Sequence, residues 1–499
     1  MNLMAQGKTR ASSEEWRHVL PTNLGLFYGG EWHSPAAGRT LPVLNPANGD
    51  VLAHVALADR EHVDRAVAAA NSAFPAWAAL SPLKRSEYVR GIAKRVREAG
   101  DELAMLDALD SGNPLKGMLL DIQMGSTIME YFAGLSTEIK GSTIPMPGGV
   151  LNYVLREPLG VVARLVAFNH PLLFAIAKIA APLIAGNTVV LKPSEHTPLS
   201  ALRLAELVQD LLPPGVLNIL NGDRAAGEAL ATHPGVASIA VVGSIATGRA
   251  VMRAGAETLK RVTLELGGKN ALIGYPDADP AKVAAGCVKG MNFDWTAGQS
   301  CGSTSRVLVH ESIYSEVIEA VSDLVGKIRL GQPTAIETEM GCLSSQAQFE
   351  KVTGYIEGAK RDGVQLVAGG GRGRGDLERG YFVEPTVFAD VAPDHRIARE
   401  EIFGPVLSIL KWSDEAALFE AVNSVPYGLT ASVWTNDLST AHRAAARIQA
   451  GYIWINGSSS HFLGAPFGGY KQSGLGREES IEELHEFTQL KNVNVTLSP

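Results

Sequence analysis

Apolar and polar positions follow two periods along this chain, and the switches between them outline its elements. Short apolar runs separated by turns occupy residues 24–45, with Gly29-Gly30 and the Pro-Ala-Ala-Gly stretch 35–38 as turn sequences. Residues 59–80 change to helical spacing, which puts Val63, Ala66, Val67, Ala70 and Phe74 near one face. Helical spacing continues over 83–109 and stops at the Ser-Gly-Asn-Pro sequence of 111–114. Two strand-like runs within 136–156 flank the Pro-Met-Pro-Gly-Gly turn of 145–149, a hairpin expected to project from the core. Farther on, strands at 161–166, 188–191, 216–220 and 238–242 alternate with helices centred near Ala177, Leu204 and Ala229. That order predicts a parallel sheet with helical crossovers. A second α/β region is expected from Ala271 to about Gly469, and a last strand over 487–497. No repeat of fixed period interrupts this plan, and residues 369–380 form a Gly/Arg-rich loop.

At 499 residues the chain is longer than one hydrophobic core usually organises, so two or three domains are expected. Hydrophobic residues at 46% and charged residues at 19% match a large globular protein, and a net charge of −8 offers nucleic acid no attraction. The largely apolar segment 161–191 is interrupted by Arg164, Asn169, His170, Pro171, Lys178 and Pro182. No clean run of ~20 apolar residues remains, so this is core rather than membrane. Cys287, Cys301 and Cys342 suit neither a disulfide framework nor a zinc site, and no metal is expected. The polar start, residues 1–23, reads as a tail without the apolar stretch of a secretory signal, and a cytoplasmic setting is expected.

Neither G-x-G-x-x-G nor G-x-x-x-x-G-K-[ST] is present. A phosphate could still bind the free N–H groups of an exposed helix start, such as the one following Gly243 and Ser244. Several residues could carry chemistry. Cys301 lies in Gly-Gln-Ser-Cys-Gly, where small neighbours leave a thiol accessible, although a free cysteine is more often buried and inert. The same five residues match G-x-S-x-G, which would make Ser300 a hydrolase nucleophile if it stood on a strand-to-helix turn; the preceding Phe-Asp-Trp-Thr-Ala is a poor strand. Glu265, followed by two glycines, has room to serve as a general base, or is a surface carboxylate before a turn. Asn169 offers an amide to an oxyanion, or simply forms a turn. Lys192 and Glu195 close a strand where a ribose and phosphates could sit, or belong to a solvated loop.

Together these stretches resemble one family. FNHPL at 168, LKPSE at 191, ELGGKN at 265, GQSCGSTSR at 298, GYFVEPT at 380, EIFGPV at 401, NSVPYGLTASVWT at 423 and PFGGYKQSGLGRE at 466 are similar to motifs of the aldehyde dehydrogenase superfamily, from about Leu24 to the C-terminus. The resemblance implies that Cys301 attacks the aldehyde, with the oxyanion held by the Asn169 amide and the Cys301 N–H. Glu265 would then activate the water that releases the acid, since relatives that transfer the acyl group to CoA commonly lack this base. Lys178 and Glu478 resemble a proton-relay pair. The implied cofactor is NAD, with NADP less favoured because Glu195 would repel a 2′-phosphate. Its implied contacts are Val166, Phe168, Lys192, Ser194, Glu195, Gly243, Ser244, Leu266, Glu401 and Phe403.

The implied substrate tunnel holds His170, Phe174, Ala177, Asp294, Trp295, Ser300, His461 and Phe467. Phe168 replaces a frequent Trp, Val242 a usual Thr, and Ala177 a frequent large aromatic. A widened, polar tunnel for a bulky or functionalised aldehyde is therefore expected, with a betaine aldehyde disfavoured because the aromatic box is incomplete. The implied architecture is α/β: a Rossmann-like cofactor domain (24–135 and 157–265), a catalytic domain (266–486), and bridging strands (136–156 and 487–499) that pair with a neighbouring subunit in a homodimer or homotetramer. The competing readings are a catalytically silent relative kept for binding, and a serine hydrolase using Ser300.

Overall fold

The alternation between residues 161 and 266 builds the centre of an eight-stranded sheet. In this structure, a computed structural model that describes residues 16–35 and 38–497, five parallel strands stand in the order Arg261–Leu266, Ser238–Gly243, Val161–Leu165, Thr188–Lys192, Leu217–Ile219. Period-two alternation divides their side chains between two buried faces. Val162, Val189 and Leu191 pack with the helices Pro171–Ala185 and Leu199–Val208. Val161, Ala163 and Val190 pack with Arg60–Ala78, Arg224–Thr232 and Ile245–Ala256. Burial on both faces explains why these strands read as continuous apolar runs.

From Val161–Leu165 the chain steps outward through Thr188–Lys192 and Leu217–Ile219, then crosses back to Ser238–Gly243 and Arg261–Leu266. The order reverses between Val161–Leu165 and Ser238–Gly243, which opens a crevice at the carboxyl ends of these strands. Antiparallel strands close the sheet at both edges: Gly474–Leu475 beside Arg261–Leu266, and the hairpin Leu26–Tyr28 and Glu31–His33 beside Leu217–Ile219.

A second sheet of seven strands runs Gln365–Ala368, Thr386–Ala389, Val406–Trp412, Arg306–His310, Ala271–Gly274, Thr430–Trp434, Tyr452–Ile455, antiparallel only in its first pair. Residues 267–270 alone connect Arg261–Leu266 to Ala271–Gly274. So short a link sets the carboxyl end of the first sheet against the amino ends of the second. A third sheet joins Val150–Pro158 to Ser142–Ile144 and to the C-terminal strand Thr488–Thr496. The projecting hairpin and the last strand thus pair with each other within the chain.

Several expectations change. The helical stretch 83–109 is two helices, Pro82–Glu98 and Gly100–Ser111, broken at Ala99. Helix Leu115–Gly134 was not anticipated. It packs against both Pro82–Glu98 and Pro171–Ala185, so its apolar residues spread over more than one face and blur the helical stripe. On the first helix Trp77 is buried where Phe74 is only half-buried. Of the expected tail, residues 1–15 lie outside the described residues, as do 36 and 37 of the 35–38 turn. Residues 16–23 are docked: Val19 joins the core, and the Asn23 N–H donates to Glu206 at 2.6 Å. Segment 161–191 resolves into strand, helix and strand, and no described helix is long and apolar enough to cross a membrane.

Candidate active site

Cys301 sits in the loop that enters Arg306–His310. The short helix Phe293–Thr296 ahead of it is bracketed by Asn292 (φ 54°) and Ala297 (φ 51°), with Gly298 at φ 73°. Left-handed non-glycine residues cost roughly 1–3 kcal/mol each and persist only where surroundings impose them. Here the Asn270 side chain imposes much of the shape: its amide donates to the Cys301 carbonyl (2.7 Å) and the Ser303 carbonyl (2.9 Å), and its oxygen accepts from Thr430 N–H (3.0 Å). A Cβ on Gly268 would stand 2.7 Å from the Cys301 carbonyl oxygen, which is why glycine follows Glu265 so closely.

The Cys301 thiol is half-buried, whereas Cys287 and Cys342 are fully buried and inert by the same burial that pushes their thiols up. Glu265, at the carboxyl end of its strand and 4% exposed, faces Cys301, and one of its oxygens has no partner among the described residues. Burial first, then the charge of Glu478, pushes its carboxyl up to about 8. Burial and the Glu265 charge push the Cys301 thiol well above its usual range.

These two groups share a cavity of about 60 Å³, narrow where Ala177 led a widened tunnel to be expected. Its walls carry Met124 and Ile128 from Leu115–Gly134; His170, Leu173, Phe174, Ala177 and Lys178 from the start of Pro171–Ala185; and Trp295, Ser300, His461, Phe467, Glu478 and Glu479 from the second half of the chain. Lys178 donates to Glu478 at 2.6 Å, and Arg164 donates to the other Glu478 oxygen at 3.1 Å. Burial opposes the charge on both partners, but their attraction outweighs it: Lys178 is raised and Glu478 lowered. A larger depression, about 560 Å³ around Tyr314, Asp390 and Lys411, lies on the second sheet's edge, away from the thiol.

Most of the expected cofactor contacts lie at the carboxyl ends of four adjacent strands. Val166 and Phe168 follow Val161–Leu165; Lys192, Ser194 and Glu195 end Thr188–Lys192; Gly243 and Ser244 end Ser238–Gly243; Leu266 ends Arg261–Leu266. The helix Ile245–Ala256 starts there with exposed N–H groups, its Ser244 hydroxyl accepting from Thr247 N–H at 3.2 Å. A Cβ on Gly248 would lie 2.6 Å from a Leu266 methyl, so glycine lets the first turn settle onto the strand. The buried Lys192 ammonium donates to the Pro193 carbonyl and stands 3.6 Å from Glu195. From the second half of the chain, the Glu401 carboxylate accepts from Gly268 N–H at 2.9 Å, and Phe403 meets Phe168 edge to face at 5.7 Å. A helix start, a buried cation and two carboxylates at a sheet switch point suit a dinucleotide.

Two expected site residues are not among those that line the narrow cavity. Asp294 is exposed, turned outward by the short helix that turns Trp295 inward. Asn169 is buried (2% exposed), its Oδ1 without a partner among the described residues. Ser300 follows a helix and precedes a strand, the reverse of a hydrolase elbow, and its hydroxyl accepts from Asn292 rather than contacting an imidazole. That removes the serine-hydrolase reading.

Sequence reasoning missed the residues that hold the wall. Asn113 donates to the Asn169 carbonyl at 2.8 Å, Asp107 accepts from Leu172 N–H at 3.0 Å, and Asp121 accepts from both His170 and Trp295. The available signal was a lone carboxylate, Asp121, in the apolar stretch Met118–Met124. Among the described residues no group of three or more His, Cys, Asp or Glu is placed to hold a metal.

Comparison with known proteins agrees with this geometry. The family model described as the aldehyde dehydrogenase family matches residues 32–493. The chain is 46% identical to aldehyde dehydrogenase tropH of Talaromyces stipitatus, covering 96% of this chain and 94% of that one. The NAD+ complex of an aldehyde dehydrogenase from Bacillus cereus superposes with a TM-score of 0.93 at 40% identity, covering 98% and 99% of the two chains. Betaine aldehyde dehydrogenase from Staphylococcus aureus, solved with NAD+, gives 0.94 at 35% identity and 97% of each chain.

Proposed function

The chain belongs to the aldehyde dehydrogenase family, and from that premise we propose that it oxidises a polar or ring-bearing aldehyde to the carboxylic acid through Cys301, with NAD as cofactor and water as acyl acceptor. The observation that carries this reading is the meeting of the Cys301 thiol and the Glu265 carboxyl, one of whose oxygens has no partner among the described residues, in one cavity.

Cys301 gives its proton to the ionised Glu265 carboxyl that faces it, which releases that proton before the later step, and the sulfur adds to the aldehyde carbon. The Cys301 N–H and the Asn169 amide would hold the new oxyanion. NAD, when bound, supplies the hydride acceptor that lets the adduct become a thioester on sulfur. Lys192 and Glu195 would hold the adenosine ribose, the helix start at Ser244 the phosphates, and Glu401 with Phe403 the second ribose. Glu265 then takes a proton from water as it attacks the thioester, and Cys301 leaves as thiolate. The Lys178–Glu478 pair, which lines the same cavity, would pass that proton onward. Glu195 should favour NAD over NADP by repelling a 2′-phosphate.

NADH formation with aliphatic, aromatic and carboxylated aldehydes tests this directly, in parallel with Cys301→Ala and with NADP in place of NAD. Turnover should vanish in the variant, and NAD should be the better cofactor. Undiminished turnover by Cys301→Ala would overturn the assignment.

A further inference from the structure

The least expected feature of the cavity is an imidazole with a buried carboxylate behind it. Asp121 is 0% exposed, and both of its oxygens are engaged: Oδ2 accepts from His170 Nδ1 at 2.8 Å and Oδ1 from Trp295 Nε1 at 2.7 Å. The proton on Nδ1 is thereby fixed. The other ring nitrogen, Nε2, has no hydrogen-bond partner among the described residues, and His170 lines the cavity. A residue serving only the fold would need neither a carboxylate to orient it nor a free nitrogen on a cavity wall. Leaving that nitrogen unmatched beside bound substrate carries a desolvation cost, so the site selects for a ligand that satisfies it.

The surroundings describe the partner. The His170 ring meets Trp295 at 5.1 Å and Phe174 at 5.4 Å, both edge to face, and these aromatic walls around a narrow space suit a planar ring. With Nδ1 donating to Asp121, Nε2 is left as a hydrogen-bond acceptor. The matching group is a hydroxyl with an acidic proton. His461 repeats the arrangement, with Nδ1 on Glu479 at 2.9 Å; burial opposes its charge but Glu479 outweighs it and raises its pKa. The cavity thus has two carboxylate-backed imidazoles set among apolar side chains that include Met124, Ile128, Leu173 and Phe467.

We propose that Asp121 and His170 form a specificity device, in which His170 Nε2 binds the hydroxyl or oxyanion of a hydroxylated aromatic aldehyde. This rests on the aldehyde-oxidising reading above and narrows its substrate class. His170 is the contact; Asp121 is a positioning residue acting through it.

Steady-state kinetics with benzaldehyde, its ortho-, meta- and para-hydroxy derivatives and the matching methoxy compounds test the proposal. For at least one ring position, kcat/KM should exceed that of benzaldehyde by about tenfold or more, and the methoxy compound should lose the gain. In His170→Phe and His170→Gln the ratio of hydroxylated to plain substrate should fall towards one, mainly through KM, whatever the absolute rate. Asp121→Asn should give an intermediate ratio. A ratio near one in the native protein, or the same ratio in all variants, overturns the proposal while benzaldehyde turnover leaves the aldehyde-oxidising reading standing. Loss of all NADH formation in the native protein would overturn both. If the His170 variants do not fold, binding to Cys301→Ala decides: the hydroxybenzaldehyde isomer that the native protein prefers should bind more tightly relative to benzaldehyde there than in the Cys301→Ala/Asp121→Asn double variant, and equal ratios overturn the proposal.

Discussion

Burial keeps the Glu265 carboxyl protonated at neutral pH, with its titration pushed up to about 8. A general base must be ionised to accept a proton from water, so a step limited by Glu265 speeds up as pH rises through that value. The Cys301 thiol, raised by burial and by the same carboxylate, shifts in the same direction. The pH profile of kcat should therefore climb towards the alkaline side, and Glu265→Gln should lower kcat by about 100-fold or more. A profile flat between about pH 6 and 9 would exclude Glu265 as the limiting base.

At the scale of elements, the helix Pro171–Ala185 carries His170 at its N-cap, with Phe174, Ala177 and Lys178 in the following turns. His170 does not cap the helix with its own side chain; Asp107, from Gly100–Ser111, accepts the Leu172 N–H instead. Asp110 does the same for Leu199 at the start of Leu199–Val208, so one helix caps two others. Burial raises the Asp107 carboxyl from 3.8 to about 7. The folded chain then holds a proton that the unfolded chain releases, and this contribution to stability is lost as pH rises from about 4 towards 7. Asp107→Asn keeps the acceptor and should flatten that slope, whereas Asp107→Ala should cost about 1–3 kcal/mol. Urea unfolding at a series of pH values separates the two; an unchanged slope in Asp107→Asn would sink the idea.

At the scale of the whole molecule, the three-stranded sheet presents an exposed apolar face. Leu151 and Leu155 are 43% and 42% exposed on one face, beside Tyr153, Val493 and Val495. The other face is tied by amides, Asn152 donating to Asn492 at 2.9 Å. An outward apolar face with two free strand edges favours association with another copy. Light scattering should find a dimer or tetramer, and the double substitution Leu151→Glu/Leu155→Glu should shift it towards monomer. A monomeric native protein would contradict this.

The sequence alone determined the features that depend on a few consecutive residues. Strands buried on both faces read as continuous apolar runs, and short links place Glu265 at a strand end before two glycines and Ser244 at a helix start. Small neighbours marked Cys301 only as an accessible thiol; its role came from the resemblance carried by the ordered motifs together. The tertiary structure decided what lies behind those residues. His170 and Trp295 converge on Asp121 from 49 and 174 positions away, and the helix that carries Asp121 has no clean stripe because neighbours cover it on more than one side. Asp294 and Trp295 are adjacent in sequence, yet one faces solvent and the other the cavity. Local pattern specifies which way the backbone runs; which side chains meet is set only when separate elements pack, because each buried polar group must then find its partner there.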